Sequence, residues 1–205
     1  MATNPLMAAL ATPEARQRYQ AYWLALGEFI DCFARAEVGL HIAFKHLTKM
    51  PDPVARALLS GARIEVTIGY LRRLAEVEFI DATEWKELEP VLTHLNEIND
   101  VRNSLLHYGA QKVEEGKAFI TNVFRALTLD RVVKTPISPM KLSAMTYDLR
   151  KIYLHLSARH MGRDDLTANY PEVKDVLAAA WRYIHVPPPQ KPTADKPQKR
   201  RSRHR

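Results

Sequence analysis

The chain has 205 residues, 46% of them hydrophobic and 26% charged, the make-up of one ordinary globular domain long enough to bury a core without covalent staples. The single cysteine, Cys32, excludes an intramolecular disulfide and any CxxC zinc site. No apolar run approaches the roughly 18 residues that cross a bilayer, and the short Leu6–Ala11 stretch has no Lys/Arg region before it, so the chain reads as cytoplasmic, with no membrane association.

The net charge of +7 is unevenly spread. From Val186 to Arg205, seven basic residues face one acid, Asp195, so this segment holds +6 and the preceding 185 residues only +1. The segment also contains Pro187-Pro188-Pro189, Pro192 and Pro197 and no bulky apolar residue after Val186. It cannot bury enough surface to offset the entropy of ordering, and it reads as a disordered tail. Its Arg200, Arg201 and Arg203 are candidates for loose, salt-sensitive contact with RNA or DNA phosphates; the alternative is a solvated charge run without a specific partner. The expected organisation is a flexible N-terminus over 1–12, a helical domain over 13–185 and the tail over 186–205.

Helical periodicity dominates the body. Thr12 as N-cap, Pro13 at the first helical position and Glu14 in the first turn open a helix of roughly 35 residues. Tyr19, Trp23, Leu26, Ile30, Phe33, Leu40, Phe44 and Leu47 form its apolar stripe, which runs to the Met50-Pro51-Asp52-Pro53 break. A short helix follows over Pro53–Leu59, stopped by Gly61. The stripe Ile64, Ile68, Leu71, Leu74 and Val77 predicts the next, ending near Ile80. Asp81 and Glu84 form a capping-box pattern ahead of Trp85, Leu88, Val91, Leu92, Leu95, Ile98, Val101, Leu105 and Leu106. Pro90 is expected to kink or split that helix, and Tyr108-Gly109 to end it. The period then changes: Glu115-Gly116, flanked by Val113 and by Phe119–Phe124, predicts a small β-hairpin around 112–133. Ser138-Pro139 restarts helix with Met140, Leu142, Met145, Leu149, Ile152, Tyr153 and Leu156 inward. A last helix is expected from Pro171 to about His185, with Val173, Val176, Leu177, Trp181 and Ile184 inward. The fold class is all-α, a helical bundle with a small β insertion.

Most signatures of chemistry are missing: no phosphate-cradling glycine loop, no HExxH, no GxSxG and too few glycines for a dinucleotide fold. The His41/His46 and His155/His160 pairs are five residues apart, about 140° round a helix, which makes no bidentate metal face. No metal and no cofactor are expected. One polar cluster stands out: Asn96, Asn99, Asp100, Arg102, Asn103 and His107, beside Leu95, Ile98, Leu105 and Leu106 on the helix that ends at Tyr108. Polar groups on a core-facing helix are costly unless they are paired. Asn103 and His107 share a face four residues apart, and Arg102 is long enough to join them. A last-turn imidazole beside a permanent guanidinium suits phosphate chemistry. Glu37 falls on the apolar seam of the first helix, where a carboxylate needs a partner or an escape to solvent.

Arg102-Asn103-Ser104-Leu105-Leu106-His107 resembles the Arg-polar-x3-His signature of the HEPN superfamily, whose members are helical bundles and often RNA-cleaving toxins or defence nucleases. The likeness spans about residues 13–160. It implies that Arg102 stabilises charge on a scissile phosphate, that His107 moves protons, and that Asn103 fixes their geometry. Glu37 would orient Arg102, and Asn99 would support the cluster. Tyr108 would stack on a base or pack at the helix end. One subgroup of this family carries a nucleotide-modified Tyr two positions after the His; here that position is Gly109. The resemblance further implies a metal-independent endoribonuclease that generates a 2′,3′-cyclic phosphate. It would act as a homodimer with a composite site on a two-fold axis, with an antitoxin or regulatory protein as partner. The alternative is a non-catalytic dimeric module in which the Arg-Asn-His cluster is structural.

Overall fold

The computed structural model describes residues 12–111, 118–121, 132, 134–161, 168 and 170–186. Six helices and one small antiparallel sheet are found among them. Helix α1 (Pro13–Thr48) is followed by α2 (Asp52–Leu59), α3 (Ile64–Glu76) and α4 (Ala82–Tyr108). Strands β1 (Ala110–Gln111), β2 (Ala118–Thr121) and β3 (Lys134–Ile137) precede α5 (Pro139–Met161) and α6 (Pro171–Ala178). The all-α class with a small β insertion holds. No helix among the described residues is long and apolar enough to cross a membrane.

The 36-residue α1 is the spine of the bundle, and its contact with α5 is the most extensive between any two elements. Gly39 permits the close approach: a Cβ there would stand 3.1 Å from the Tyr153 ring and 3.4 Å from Leu156 Cβ. Phe29, Leu40 and Ala43 of α1, Leu71 of α3, Leu92 and Ile98 of α4, and Met145 and Leu149 of α5 share one continuous core. The apolar stripe of α1 is less complete at its N-terminal end than its periodicity suggests, since Trp23 is exposed. Helix α3 stops at Glu76 rather than near Ile80, leaving Val77 and Phe79 exposed.

Pro90 lies inside α4 without ending it. It removes one backbone donor, but Leu88, Val91, Leu92 and Leu95 are buried on both sides of it, and this packing carries the helix through. Asp81 caps the helix as its sequence predicts, accepting the N–H groups of Thr83 at 2.8 Å and Glu84 at 3.2 Å. These backbone bonds hold the Asp81 carboxyl below its usual range. At the other end Gly109 has φ 64° and ψ 171°, and its N–H reaches Leu105 O at 2.9 Å. That backbone conformation is essentially reserved for glycine, and it turns the chain from helix into β1.

The β insertion has three strands in the order β1-β2-β3. Ala110 pairs with Ile120 and Gln111 with Phe119, so the Glu115-Gly116 segment connects the two strands expected to flank it, although residues 112–117 lie outside the described residues. The expected strand residues Asn122–Phe124 also lie outside them. Strand β3 extends the sheet beyond the predicted 112–133 span, with Pro136 opposite Phe119; an edge position tolerates a residue without an N–H. Ile120 and Ile137 are buried.

The last helix is shorter than predicted. Helix α6 ends at Ala178, and 179–186 form a non-helical strap. Tyr183 faces inward, while Ile184, expected inward, is 79% exposed. Buried groups of α5 take the strap's backbone polar atoms, which a helix would keep for itself.

Candidate functional site

Helix α4 carries both the core stripe and the polar cluster. Leu95, Ile98, Val101 and Leu105 are buried, which fixes the helix's rotation and sets Asn99, Arg102 and Asn103 at the edges of that stripe. Asn99 is 2% exposed and donates its amide to Glu65 Oε1 at 2.6 Å. Asn103 donates to the same oxygen at 3.0 Å and accepts from Arg102 Nη1 at 3.0 Å through its own Oδ1. The Arg102 guanidinium carbon lies 5.0 Å above the Phe33 ring of α1, a cation–π contact. Arg102 Nε is buried and has no acceptor among the described residues.

A hydrogen-bonded relay therefore runs from Arg102 through Asn103 to Glu65, with Asn99 closing it from one turn earlier. Glu65 is in the first turn of α3, where the helix dipole favours a carboxylate. The acid that reaches the motif is thus Glu65 and not Glu37. Glu37 is half-buried and makes no ion pair with Arg102 among the described residues. On α1 it is Phe33, one turn before Glu37, that meets the guanidinium, through its ring face.

His107 is exposed in the last turn of α4. Its ring centroid is 6.3 Å from that of Tyr108, which packs half-buried against the core. Five helical residues separate Arg102 from His107, about 140° in rotation and about 7 Å along the axis. Asn103 lies between them in rotation. Arg200, Arg201 and Arg203 lie outside the described residues. Among those residues no group of three or more His, Cys, Asp or Glu side chains is disposed to hold a metal ion.

No protein-family model matches this chain, and neither a curated protein nor a solved structure matches it.

A second polar cluster was not foreseen from the sequence. His94 of α4 and Asp148 of α5 are both buried, and His94 Nε2 donates to Asp148 Oδ2 at 2.9 Å. His94 Nδ1 lies 3.3 Å from Glu97 Oε2. Asp148 also accepts the backbone N–H of Arg182 at 3.0 Å and of Tyr183 at 2.7 Å. Lys151, likewise buried, donates to the carbonyl of Ala179 and lies 4.2 Å from the centroid of Trp181. Trp181 in turn stacks on His94 at 4.4 Å. Burial pushes the Lys151 ammonium down, against the pull of Asp148. Burial, with Glu97 and Asp100 nearby, pushes the Tyr183 phenol up to about 12. The signal available in the sequence was the presence of Asp148 and Lys151 between Met145, Leu149 and Ile152 on an apolar face.

Proposed function

We propose that the protein is a metal-independent endoribonuclease of HEPN type, acting in the cytoplasm as a toxin or defence effector under the control of an antitoxin or regulatory protein. The observation that carries this reading is the fixed Arg102 guanidinium on the last two turns of a helix that ends in an exposed His107. Asn103 holds one terminal nitrogen of Arg102 at 3.0 Å and is itself tied to Glu65 at 3.0 Å. Such preorganisation lets a cation meet developing phosphate charge with little rearrangement. In the proposed reaction the ribose 2′-hydroxyl attacks the adjacent phosphorus, and its proton passes to a base. The 5′-oxygen leaves with a proton from an acid, giving a 2′,3′-cyclic phosphate and a 5′-hydroxyl.

One His and one Arg are too few for base, acid and charge stabilisation together. Two copies meeting near the ends of their α4 helices supply two of each, and Leu106, 56% exposed beside His107, supplies apolar surface for that meeting.

The test is cleavage of a single-stranded RNA by the full chain. Cleavage is expected to persist in a chelator, to stop on 2′-deoxy substitution at the scissile position, and to fall at least a hundredfold in Arg102→Ala and His107→Ala. Equal cutting of the 2′-deoxy substrate overturns the mechanism.

A second reading rests on the mutual hydrogen bonding of the same cluster: Asn99, Asn103, Arg102 and Glu65 already bond one another, as they would in a non-catalytic dimeric module. Under that reading the double Arg102→Ala, His107→Ala variant loses the dimer, and the parent has no cleavage to lose. Under the nuclease reading cleavage goes and the dimer stays.

A further inference from the structure

Helix α5 contains a single acidic residue, Asp148, and that residue is fully buried. Ser143, Tyr147, Arg150 and Leu154 lie within about 60° of one another on the outer side of the helix, so this face carries no negative charge of its own. The contact that buries Asp148 also adds a cation to the face. Asp148 takes the backbone N–H groups of Arg182 and Tyr183, and the side chain of Arg182 turns onto Tyr147, with Cζ 3.4 Å from the ring centroid. Arg182 is exposed, so the far side of its guanidinium meets solvent.

One turn beyond Tyr147, Arg150 is exposed and makes no hydrogen bond or ion pair among the described residues. It also borders a cleft of about 380 Å³ between α1 and α5, lined by Asp31, Cys32, Arg35, Arg150, Tyr153 and Leu154. Arg35 Nε donates to Asp31 Oδ2 at 2.9 Å. This bond occupies the one acid of the lining and leaves both terminal nitrogens of Arg35 without an acceptor among the described residues. Buried Cys32 and half-buried Tyr153 and Leu154 give the cleft apolar walls. Its volume is within the range of small-ligand sites, about 300–1,000 Å³, enough to take one nucleoside of a strand.

From Tyr147 to Leu154 the helix rises about 10 Å, and the guanidiniums of Arg182, Arg150 and Arg35 are spread over that length. A site for one small anion would converge its cations on a point; these are set in file and alternate with Tyr147 and Tyr153. Such a row suits a single strand, whose phosphates follow the charges while its bases stack on rings and guanidinium planes. We propose that Arg182, Arg150 and Arg35 form a binding track for single-stranded RNA along the outer face of α5 and its border with α1, with one base stacked on Arg182 and another nucleoside seated in the cleft. The track is separate from the Arg102 cluster. Asp31 and Arg35 are each two residues from Phe33, which meets Arg102, and so lie about 160° round α1 from it. Binding on the track does not rest on the ribonuclease reading.

The experiment uses the full chain and a fluorescent single-stranded 2′-O-methyl oligouridylate, which has no 2′-hydroxyl to attack and so stays intact whatever the activity of the protein. Its affinity is read by anisotropy at several salt concentrations. Replacing Arg35, Arg150 and Arg182 together by Gln is expected to reduce the log–log salt slope by about 2, at about 0.7 for each phosphate contact. Arg73→Gln, on the exposed side of α3, is expected to leave the slope unchanged. Arg182→Lys keeps the charge but not the plane; its slope is expected to hold while affinity falls about fivefold, the worth of one stacked base. All four arginines are exposed, so the fold is expected to survive each change. An unchanged slope in the triple variant, a fall of about 0.7 in Arg73→Gln as well, or an Arg182→Lys protein that binds as tightly as the parent overturns the track. So does inorganic polyphosphate of matched length, or uridine monophosphate, binding as tightly as the oligomer. If the variants behave as expected and the parent leaves unmodified RNA uncut, the track stands and the nuclease reading falls.

Discussion

Asp148→Asn tests whether the strap is held by a buried charge. The carboxylate is fully buried, and its two oxygens serve three donors: Arg182 N–H at 3.0 Å, Tyr183 N–H at 2.7 Å and His94 Nε2 at 2.9 Å. Asparagine keeps one acceptor oxygen and presents an NH2 where the other was, so at least one donor faces a donor. An unsatisfied buried donor costs about 1–3 kcal/mol. The surviving bonds also lose the charge assistance that roughly doubles their strength. With two surviving bonds each losing about 1 kcal/mol of that strength, the substitution costs about 3–4 kcal/mol overall. For a domain of this size each kcal/mol lowers Tm by about 2–4 °C, so the expected fall is about 6–16 °C. Urea denaturation followed by tryptophan fluorescence reports it, since Trp181 stacks on His94. Amide exchange at Tyr183 should rise to a rate typical of unprotected backbone, while exchange in the centre of α1 rises only by the global loss of stability. A loss below about 1 kcal/mol, with Tyr183 still protected, would refute the clasp.

Two further substitutions test other parts of the argument. Burial holds the Asp100 carboxyl above its usual range, with Glu65 and Glu97 adding to the shift and His185 opposing it. The folded state therefore binds that proton more tightly than the unfolded chain, and stability falls as pH rises from the ordinary carboxylate pKa through the raised one. Asp100→Asn should stabilise the protein near pH 7.5 and lose most of that advantage near pH 4, measured as the urea midpoint at each pH; a gap that widens on acidification contradicts the assignment. Gly109→Ala places a Cβ that meets nothing among the described residues within 4 Å, but on a backbone at φ 64° and ψ 171°. The cost is strain alone, about 1–3 kcal/mol, read from chemical denaturation, and a change under about 0.5 kcal/mol would show that the turn relaxes freely.

The sequence alone determined about where the helices begin, because those signals are local. A 3.6-residue apolar period, the Asp81 cap and the Gly109 stop depend on neighbours a few residues away, and the cap and the stop appear where the pattern puts them. It also marked Asn99, Arg102, Asn103 and His107, since polar side chains packed that densely beside Leu95, Ile98 and Leu105 require partners. Tertiary structure alone decided which partners those are. Glu37 and Glu65 are comparable acids on paper; helix packing gives Phe33 the guanidinium face and brings the first turn of α3 to Asn99 and Asn103. The same holds at the C-terminus, where the apolar spacing from Val173 to Ile184 suits a helix. Asp148, Lys151 and His94 offer the backbone and Trp181 of 179–183 better contacts than a helix would. Those three residues are separated from the strap by roughly 30 to 90 positions in the chain, and no local periodicity records a contact made across that separation.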